Sequence, residues 1–221
     1  MRNPTHITIA MTVLLSPLFW AMPVHAALIT FDAVVVGETT FSFDGDGDSV
    51  DDVIFSTTDP NGFNTAGPGP NMTYINEPGL EGTSLLNPDL RVDFLNGAIG
   101  PLSFGFSLDS SFSDPSFFAS IEVFNSDGNL IGSASQVGNF TITVPPSGLS
   151  SFPEGLVTVD FSGAASFATF DFTSEFGRYI IDNFEGTFGS TEDVTVPEPG
   201  SLVLLVSAGF LGLSVFRKRS A

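Results

Sequence analysis

Five aspartates crowd into nine residues, in the sequence Asp-Gly-Asp-Gly-Asp-Ser-Val-Asp-Asp from Asp44 to Asp52. The alternating glycines allow a tight loop in which several carboxylates point inward, where they would repel one another without a cation. Hard cations such as Ca²⁺ prefer about six to eight oxygen ligands at roughly 2.3–2.6 Å. The pattern therefore predicts a calcium loop. Its ligands would be Asp44, Asp46, Asp48, the backbone carbonyl of Val50, and Asp52.

This spacing resembles the Asp-x-Asp-Gly-Asp-Gly-x-x-Asp calcium loops of FG-GAP-type repeats and thrombospondin calcium repeats. Ser49 stands where those loops usually carry glycine, and Phe55 stands where an EF-hand loop would carry its bidentate glutamate. The loop is therefore not a standard EF-hand, and a solvated acidic turn without metal is the alternative interpretation. The residues that match are Asp44, Asp46, Asp48 and Asp52.

The side chains of most catalytic sites are missing. The chain has no cysteine, its two histidines are His6 and His25, and its one lysine is Lys218. Its central region therefore cannot build Ser-His-Asp, Cys-His or Ser-Lys catalysis, or a zinc site with the usual nitrogen and sulfur ligands. We expect a protein that is not an enzyme. A two-carboxylate glycosidase is the alternative, although no pair of acids stands out.

The N-terminal residues have the order of parts of a secretory signal. Arg2 precedes an apolar stretch over residues 7–20, and Val24 and Ala26 supply the small residues that a signal peptidase requires. The sequence predicts a signal peptide over residues 1–26, with cleavage after Ala26. A retained membrane anchor is the alternative.

The C-terminal residues combine a proline-rich motif, an apolar segment and a basic end. Residues 201–216 carry no charge, and at 16 residues they fall short of the about 20 that a full bilayer span requires. They still predict a single transmembrane helix, whose basic end should remain cytoplasmic. An ordinary C-terminal anchor helix is the alternative. The flanking residues are Pro197, Glu198 and Pro199 on one side, and Arg217, Lys218 and Arg219 on the other.

These parts, in this order, resemble the PEP-CTERM sorting domain of Gram-negative bacteria, over residues 197–221. The resemblance implies that an exosortase-type enzyme acts near the Pro-Glu-Pro motif. It also implies export through the inner membrane and transient anchoring by residues 201–216. It further implies that the tail is then removed and that the mature protein reaches the cell surface or an exopolysaccharide matrix.

The charge of the central region is strongly negative. All 25 acidic residues lie between Asp32 and Glu198, where the basic residues are only Arg91 and Arg178. Nucleic acids and anionic membrane surfaces are excluded as partners, because both require clusters of lysine and arginine. Divalent cations and neutral glycans remain as possible partners of this acidic surface. Solubility alone could also explain the charge.

Apolar and small polar residues alternate along much of the chain, as in half-buried strands. Turn sequences rich in glycine and proline separate these runs, and 121–124 with 130–135 is typical of a hairpin. We expect ten or eleven strands in an all-β, jelly-roll-like antiparallel β-sandwich over residues 27–190, with a loop-rich insertion at 59–90 and a linker at 191–196. The runs predicted to alternate lie at 102–108, 140–144, 157–161, 168–172 and 180–188.

Together these features predict an exported surface or extracellular-matrix protein with a calcium-stabilised sandwich. A lectin-like module that binds exopolysaccharide is the alternative.

Overall fold

The computed structural model describes residues 25–45, 49–65, 67, 71–76, 78–142 and 148–188. These residues form ten strands, paired antiparallel throughout, and no helix, which confirms the predicted all-β antiparallel fold. The strands are β1 (His25–Ile29), β2 (Thr40–Phe43), β3 (Val53–Ser56), β4 (Leu80–Thr83), β5 (Leu90–Leu108), β6 (Phe118–Phe124), β7 (Leu130–Val137), β8 (Glu154–Val159), β9 (Ala165–Phe172) and β10 (Arg178–Phe188).

One long strand, β5, runs through both layers of the fold. Its first part pairs with β3 and β9, and its second part pairs with β8 and β10. Phe170 of β9 lies opposite Leu90, yet the ring of Phe170 is 5.1 Å from that of Phe104. A straight strand would hold Leu90 and Phe104 roughly 45 Å apart. The strand therefore folds back on itself, and the sheet becomes two facing layers.

We call the two layers A and B. Layer A has the order β2-β3-β5-β9-β6-β7, with the first part of β5 in it. Layer B has the order β8-β5-β10, with β1 and β4 both paired along the outer edge of β10. This two-layer arrangement is sandwich-like, as the sequence predicts; the jelly-roll connectivity stays a prediction.

The sandwich has two ends of different character. At the exit pole, β1 begins and β10 ends, with His25 paired opposite Phe188. At the far pole, four connections cross between the layers. Three of them, over residues 84–89, 109–117 and 173–177, are described in full and are called the far-pole loops; the fourth, over 138–153, is described except for 143–147. Because β10 runs between the poles and has 11 residues, the poles are roughly 30–35 Å apart.

Phenylalanine rings fill the space between the layers. The ring of Phe55 in layer A meets that of Phe184 in layer B edge-on at 5.3 Å. Burial of each such side chain stabilises the fold by about 1.5–3 kcal/mol. The alternation predicted for the second part of β5 is confirmed, since all four of its large side chains are fully buried: Leu102, Phe104, Phe106 and Leu108.

The loop-rich insertion at 59–90 contains β4, and its residues 71–76 lie over the outer face of layer B. Gly105 of β5 makes room for them, because a Cβ at that position would lie 2.0 Å from the carbonyl oxygen of Tyr74. Phe63 and Ile75 of the insertion are buried. Residues 71–76 thus cover part of the outer face of layer B rather than project into solvent.

A bulge in β10 changes which side chains face the core. Parity predicts that Ile180 lies on the same face as Phe184 and Phe188. In the structure, Ile180 pairs opposite Ser107 on the outer face, while Ile181 lies in the core. The register shifts by one residue between Asp182 and Glu185, around a positive φ of 51° at Asn183. The parity prediction is therefore wrong for Ile180 and right beyond the bulge.

The strand predicted at 140–144 is also not formed in the described residues. Ile142 makes only an isolated bridge to Leu149. The N–H of Thr141 bonds the Ser150 hydroxyl at 2.9 Å, and the Thr141 hydroxyl donates to the Glu154 carboxylate. These local side-chain bonds take the place of a backbone ladder.

The predicted terminal segments lie outside the described residues, apart from His25 and Ala26, which begin β1. Cleavage after Ala26 would shorten β1 by these two residues. The described part of the chain contains no helix capable of crossing a bilayer.

Candidate functional site

The acidic loop closes the β2–β3 hairpin at the exit pole. Phe43 and Val53 form the last pair of the hairpin, and Val53 also pairs with Phe94 of β5. The ring of Phe94 stacks on that of Phe188 at 5.8 Å. The loop therefore lies at the same end of the molecule as the residue that leads into the C-terminal tail.

Two of the predicted ligands already serve as hydrogen-bond acceptors within the loop. The Asp52 carboxylate is buried; it accepts from the N–H of Gly45 at 2.8 Å and from the amide of Asn96 at 3.1 Å. Asp44 accepts from the N–H of Ser49 at 2.8 Å, where Ser49 adopts a left-handed φ of 73°. Each carboxylate oxygen has a second lone pair, so these bonds are compatible with a bound cation.

The remaining predicted ligands cannot be placed in the same way. Asp46 and Asp48 lie outside the described residues. Val50, predicted to contribute its backbone carbonyl, is described, and its side chain is 55% exposed. Among the described residues, no group of three or more acidic, histidine or cysteine side chains could hold a metal ion. The calcium site therefore stays a prediction, with Asp44 and Asp52 fixed at the two ends of the loop.

Five acidic side chains are buried, which the charge balance alone did not predict. Their position in the sequence could have identified some of them. Three of the five stand at or directly before the first residue of a strand, where a carboxylate can accept hydrogen bonds from the amides of a neighbouring loop. The buried acids are Asp52, Glu81, Asp89, Glu154 and Asp182.

Two of these carboxylates attach the insertion to layer B. Glu154 accepts from the N–H of Thr73 at 2.9 Å and from that of Tyr74 at 2.9 Å. Asp182 accepts from the N–H of Asn76 at 2.6 Å. Charge-assisted hydrogen bonds of this kind are about twice as strong as neutral ones. They therefore hold residues 73–76 against the sheet.

Burial changes the ionisation of three of the acids. It raises the pKa of Asp89 and Asp182 above the ordinary 3.8, although backbone N–H groups donate to both carboxylates and oppose the shift. It also raises the pKa of Glu81 above the ordinary 4.5, against the opposing effect of the Arg178 guanidinium. In each case desolvation of the charged form is the largest cause.

These shifts predict a stability that falls as the pH rises above the ordinary carboxyl range. In that window the unfolded chain has released protons that the folded chain still binds, so raising the pH favours unfolding. Repulsion within a chain of formal net charge −19 acts in the same direction. We expect a higher melting temperature near pH 5 than near pH 7.5, measured at constant ionic strength.

Two exposed acids make the stability fall, rather than rise, as the pH is lowered below the ordinary carboxyl range. Hydrogen bonds from Ser116 and Ser111 lower the pKa of Asp114 and Glu175 respectively. Their contribution is present above the ordinary carboxyl values and is lost as the pH falls through the lowered ones. A melting temperature that instead climbed steadily from pH 5 to pH 8 would contradict the burial argument.

A small cleft opens at the far pole, on the outer face of layer B. Its volume is about 120 Å³, and its lining includes Ser107, Asp109, Phe152, Arg178 and Ile180. The N–H of Asp109 donates to the carbonyl of Arg178 at 3.0 Å, so these two residues lie side by side. The Arg178 guanidinium forms an ion pair with the buried Glu81.

The described chain is thus an antiparallel, sandwich-like β-protein with an acidic surface. The family model of the PEP-CTERM protein-sorting motif matches residues 195–219, beyond the described body. The chain therefore carries a PEP-CTERM protein-sorting motif, as the sequence predicts. This motif marks it for export and for recognition by an exosortase-type processing enzyme.

Comparisons of the whole chain with known proteins give weaker similarities than the match of the sorting motif. No curated protein matches the chain. Among solved structures, it is similar to the K2 cleaved adhesin domain of Lys-gingipain, with a TM-score of 0.41 and 13% identity, covering 74% of this chain and 98% of that one. It is also similar to the K1 cleaved adhesin domain of Lys-gingipain from Porphyromonas gingivalis W83, with a TM-score of 0.31 and 11% identity, covering 75% and 99% respectively.

Proposed function

We propose that this protein is exported, sorted by an exosortase-type enzyme, and released to the cell surface or extracellular matrix, where it acts without catalysis. The match of the sorting motif to residues 195–219 carries the proposal. The absence of cysteine and the single lysine, in the C-terminal basic cluster, support a non-catalytic body. The alternative is a module that binds exopolysaccharide.

The described fold is compatible with this processing route. Eight residues, 189–196, separate the end of β10 at Phe188 from Pro197. Even fully extended, this connection spans at most about 32 Å. A processing enzyme that acts near Pro-Glu-Pro therefore works within about this distance of the exit pole.

The sorting step can be tested in a Gram-negative host, with and without an exosortase gene. The variant carries Pro197→Ala, Glu198→Ala and Pro199→Ala. We expect intact-mass spectrometry to find wild-type protein shortened at its C-terminus only when the exosortase is present, and the variant to keep its full tail in the membrane fraction.

The matched control replaces three linker residues outside the motif, as Thr191→Ala, Glu192→Ala and Asp193→Ala, and should be processed like the wild type. Equal processing of the motif variant, or full-length protein dissolved in the cytosol, would overturn the proposed route.

We further propose that calcium binds the loop between Asp44 and Asp52 and stabilises the exit pole. The support is the density of carboxylates in the loop and the attachment of Asp52 to Asn96 of β5, which links the loop to the core strand. A ligand that binds only the folded state stabilises it by about 2.7 kcal/mol at a hundred times its Kd. Calcium should therefore raise the melting temperature by several degrees.

The measurement compares CaCl₂ with MgCl₂ at equal ionic strength, because any divalent cation would screen this acidic surface. The double variant Asp44→Ala with Asp48→Ala should lose the calcium-specific shift. The control Asp127→Ala with Asp160→Ala removes two exposed acids elsewhere and should retain it. An equal shift with magnesium, or its survival in the loop variant, would show a solvated acidic turn instead.

A further inference from the structure

We propose that the far pole is a binding site for a neutral polysaccharide, with Phe112 and Phe176 as stacking surfaces and with Asp109 and Arg178 as the hydrogen-bonding groups. This inference rests on the exopolysaccharide-binding alternative above and is independent of how the chain is sorted.

Large apolar side chains are exposed on all three far-pole loops. Leu85, Phe112 and Phe176 are 79%, 47% and 59% exposed respectively. Phe112 and Phe176 are the two phenylalanines among the exposed large apolar residues of the described chain. Phe112 lies against Phe117, with ring centroids 5.3 Å apart, and about half of its side chain is still exposed. Exposed apolar side chains grouped on neighbouring loops point to recognition.

The loops that carry these rings are tied to one another. Glu175 accepts from the N–H of Ser111 at 2.9 Å and from its hydroxyl at 2.8 Å, which joins the loop of Phe176 to the loop of Phe112. The N–H of Phe176 donates to the carbonyl of Asp109 at 3.0 Å. The rings are therefore held in place before a ligand arrives, and little conformational entropy is lost on binding.

The loop of Leu85 is tied to the same group. The N–H of Ser84 donates to the carbonyl of Gly177 at 2.9 Å, and its hydroxyl lies 3.0 Å from that of Ser174. The side chain of Leu85 packs over Gly177, where a Cβ would lie 3.1 Å from it. All three loops thus form one continuous surface.

Polar groups of both kinds lie beside the rings. Asp109 lines the cleft, where its carboxylate can accept a hydrogen bond from a ligand. Arg178 uses one terminal nitrogen for its ion pair with Glu81, which leaves its other N–H donors available. The backbone hydrogen bonds that join Asp109 to Arg178 and to Phe176 place this pair next to the exposed ring.

A sugar ring matches this combination of groups. Its faces carry C–H bonds, which are attracted to the negative face of an aromatic ring, and its edge carries hydroxyls that both donate and accept. A cleft of about 120 Å³ is smaller than a typical small-molecule pocket of roughly 300 Å³ or more. It therefore suits part of a chain laid across the surface rather than an enclosed ligand.

The charges at the far pole disfavour other occupants. Asp109, Asp114 and Glu175 lie in its loops, and the guanidinium of Arg178 is neutralised by Glu81. Anionic polymers and anionic lipid headgroups would be repelled. A stable protein partner would need about 800 Å² of complementary surface on each side, whereas three large apolar side chains are exposed on the far-pole loops.

The test uses the full-length chain, purified in detergent, so that failure of sorting in a host does not affect it. The probes are a soluble β-glucan, an α-mannan and a galactan, with alginate as the anionic member. Binding is measured by affinity electrophoresis. We expect at least one neutral polysaccharide to retard the wild-type chain. The affinity should be about tenfold weaker for Phe176→Ala and unchanged for Phe176→Trp.

The matched control is Leu130→Ala, which removes an apolar side chain of similar exposure at the start of β7, away from the far pole, and should bind as the wild type does. Circular dichroism should show that each variant is folded. The inference is overturned if no neutral polysaccharide retards the chain, if Phe176→Ala binds normally, or if alginate binds best. It is also overturned if Phe176→Ala dissociates an oligomer, because a second copy would then cover the surface.

Discussion

Replacement of Phe184 by alanine is expected to lower the free energy of unfolding by about 3–5 kcal/mol. Phe184 is fully buried at the centre of the sandwich, with its ring 5.3 Å from Phe55 and 6.3 Å from Phe170 in the opposite layer. Its removal leaves a cavity between the layers that is not easily closed, because β10 and the facing strands β3 and β9 are each paired on both sides. Denaturant unfolding, followed by circular dichroism, measures the change.

The same substitution at an exposed ring gives the matched control. Phe176→Ala should change the free energy of unfolding by less than about 0.5 kcal/mol, since its side chain is already largely in water. Because a domain of this kind has only about 5–15 kcal/mol in total, the Phe184 variant should lose a large fraction of its stability. Equal midpoints for the two variants would contradict the assignment of Phe184 to the core.

Replacement of Glu154 by alanine should both destabilise the fold and release the insertion. The carboxylate is buried, and it accepts hydrogen bonds from the N–H groups of Thr73 and Tyr74 and from the hydroxyl of Thr141. Each donor left without a partner costs about 1–3 kcal/mol, reduced where water can replace the carboxylate. We expect a loss of about 2–3 kcal/mol and faster amide hydrogen exchange at residues 73–76.

The location of the effect distinguishes this role from a general loss of charge. Glu185→Ala removes an exposed carboxylate from β10 and should leave exchange at residues 73–76 unchanged. The exchange rate at residues 73–76 in Glu154→Gln should lie between the rates in Glu154→Ala and Glu185→Ala. The glutamine amide keeps one acceptor oxygen, but it also turns donor hydrogens toward the N–H groups. Slow exchange at residues 73–76 in Glu154→Ala would show that the insertion is held by other contacts.

Local patterns predicted the parts of the fold that obey a simple period. The alternation from Leu102 to Leu108 and the hairpin of β6 and β7 follow directly from the parity of apolar residues and from the turn at 125–129. Parity failed at Ile180, because a bulge inserts one residue without any glycine or proline to signal it. No strand forms over the described residues 140–142, where Thr141 bonds the side chains of Ser150 and Glu154.

The acidic residues show the same limit. Counting charges could not separate the carboxylates that lie in water from Glu154 and Asp182, whose partners come from residues about 80 and 106 positions away. The acidic loop was found because its chemistry is contained in nine consecutive residues. Sites assembled from distant segments, such as the cleft beside Arg178, need the fold to be known first.

The placement of the two chain ends also has a mechanical consequence. A pull between Phe188 and the loops of the far pole acts along the axes of β10 and β5, so it strains many interstrand hydrogen bonds at once, in shear. A pull between His25 and Phe188, by contrast, would peel β1 from β10 one bond at a time. Force applied between Phe188 and the far pole would therefore be resisted more strongly than force that separates the two chain ends.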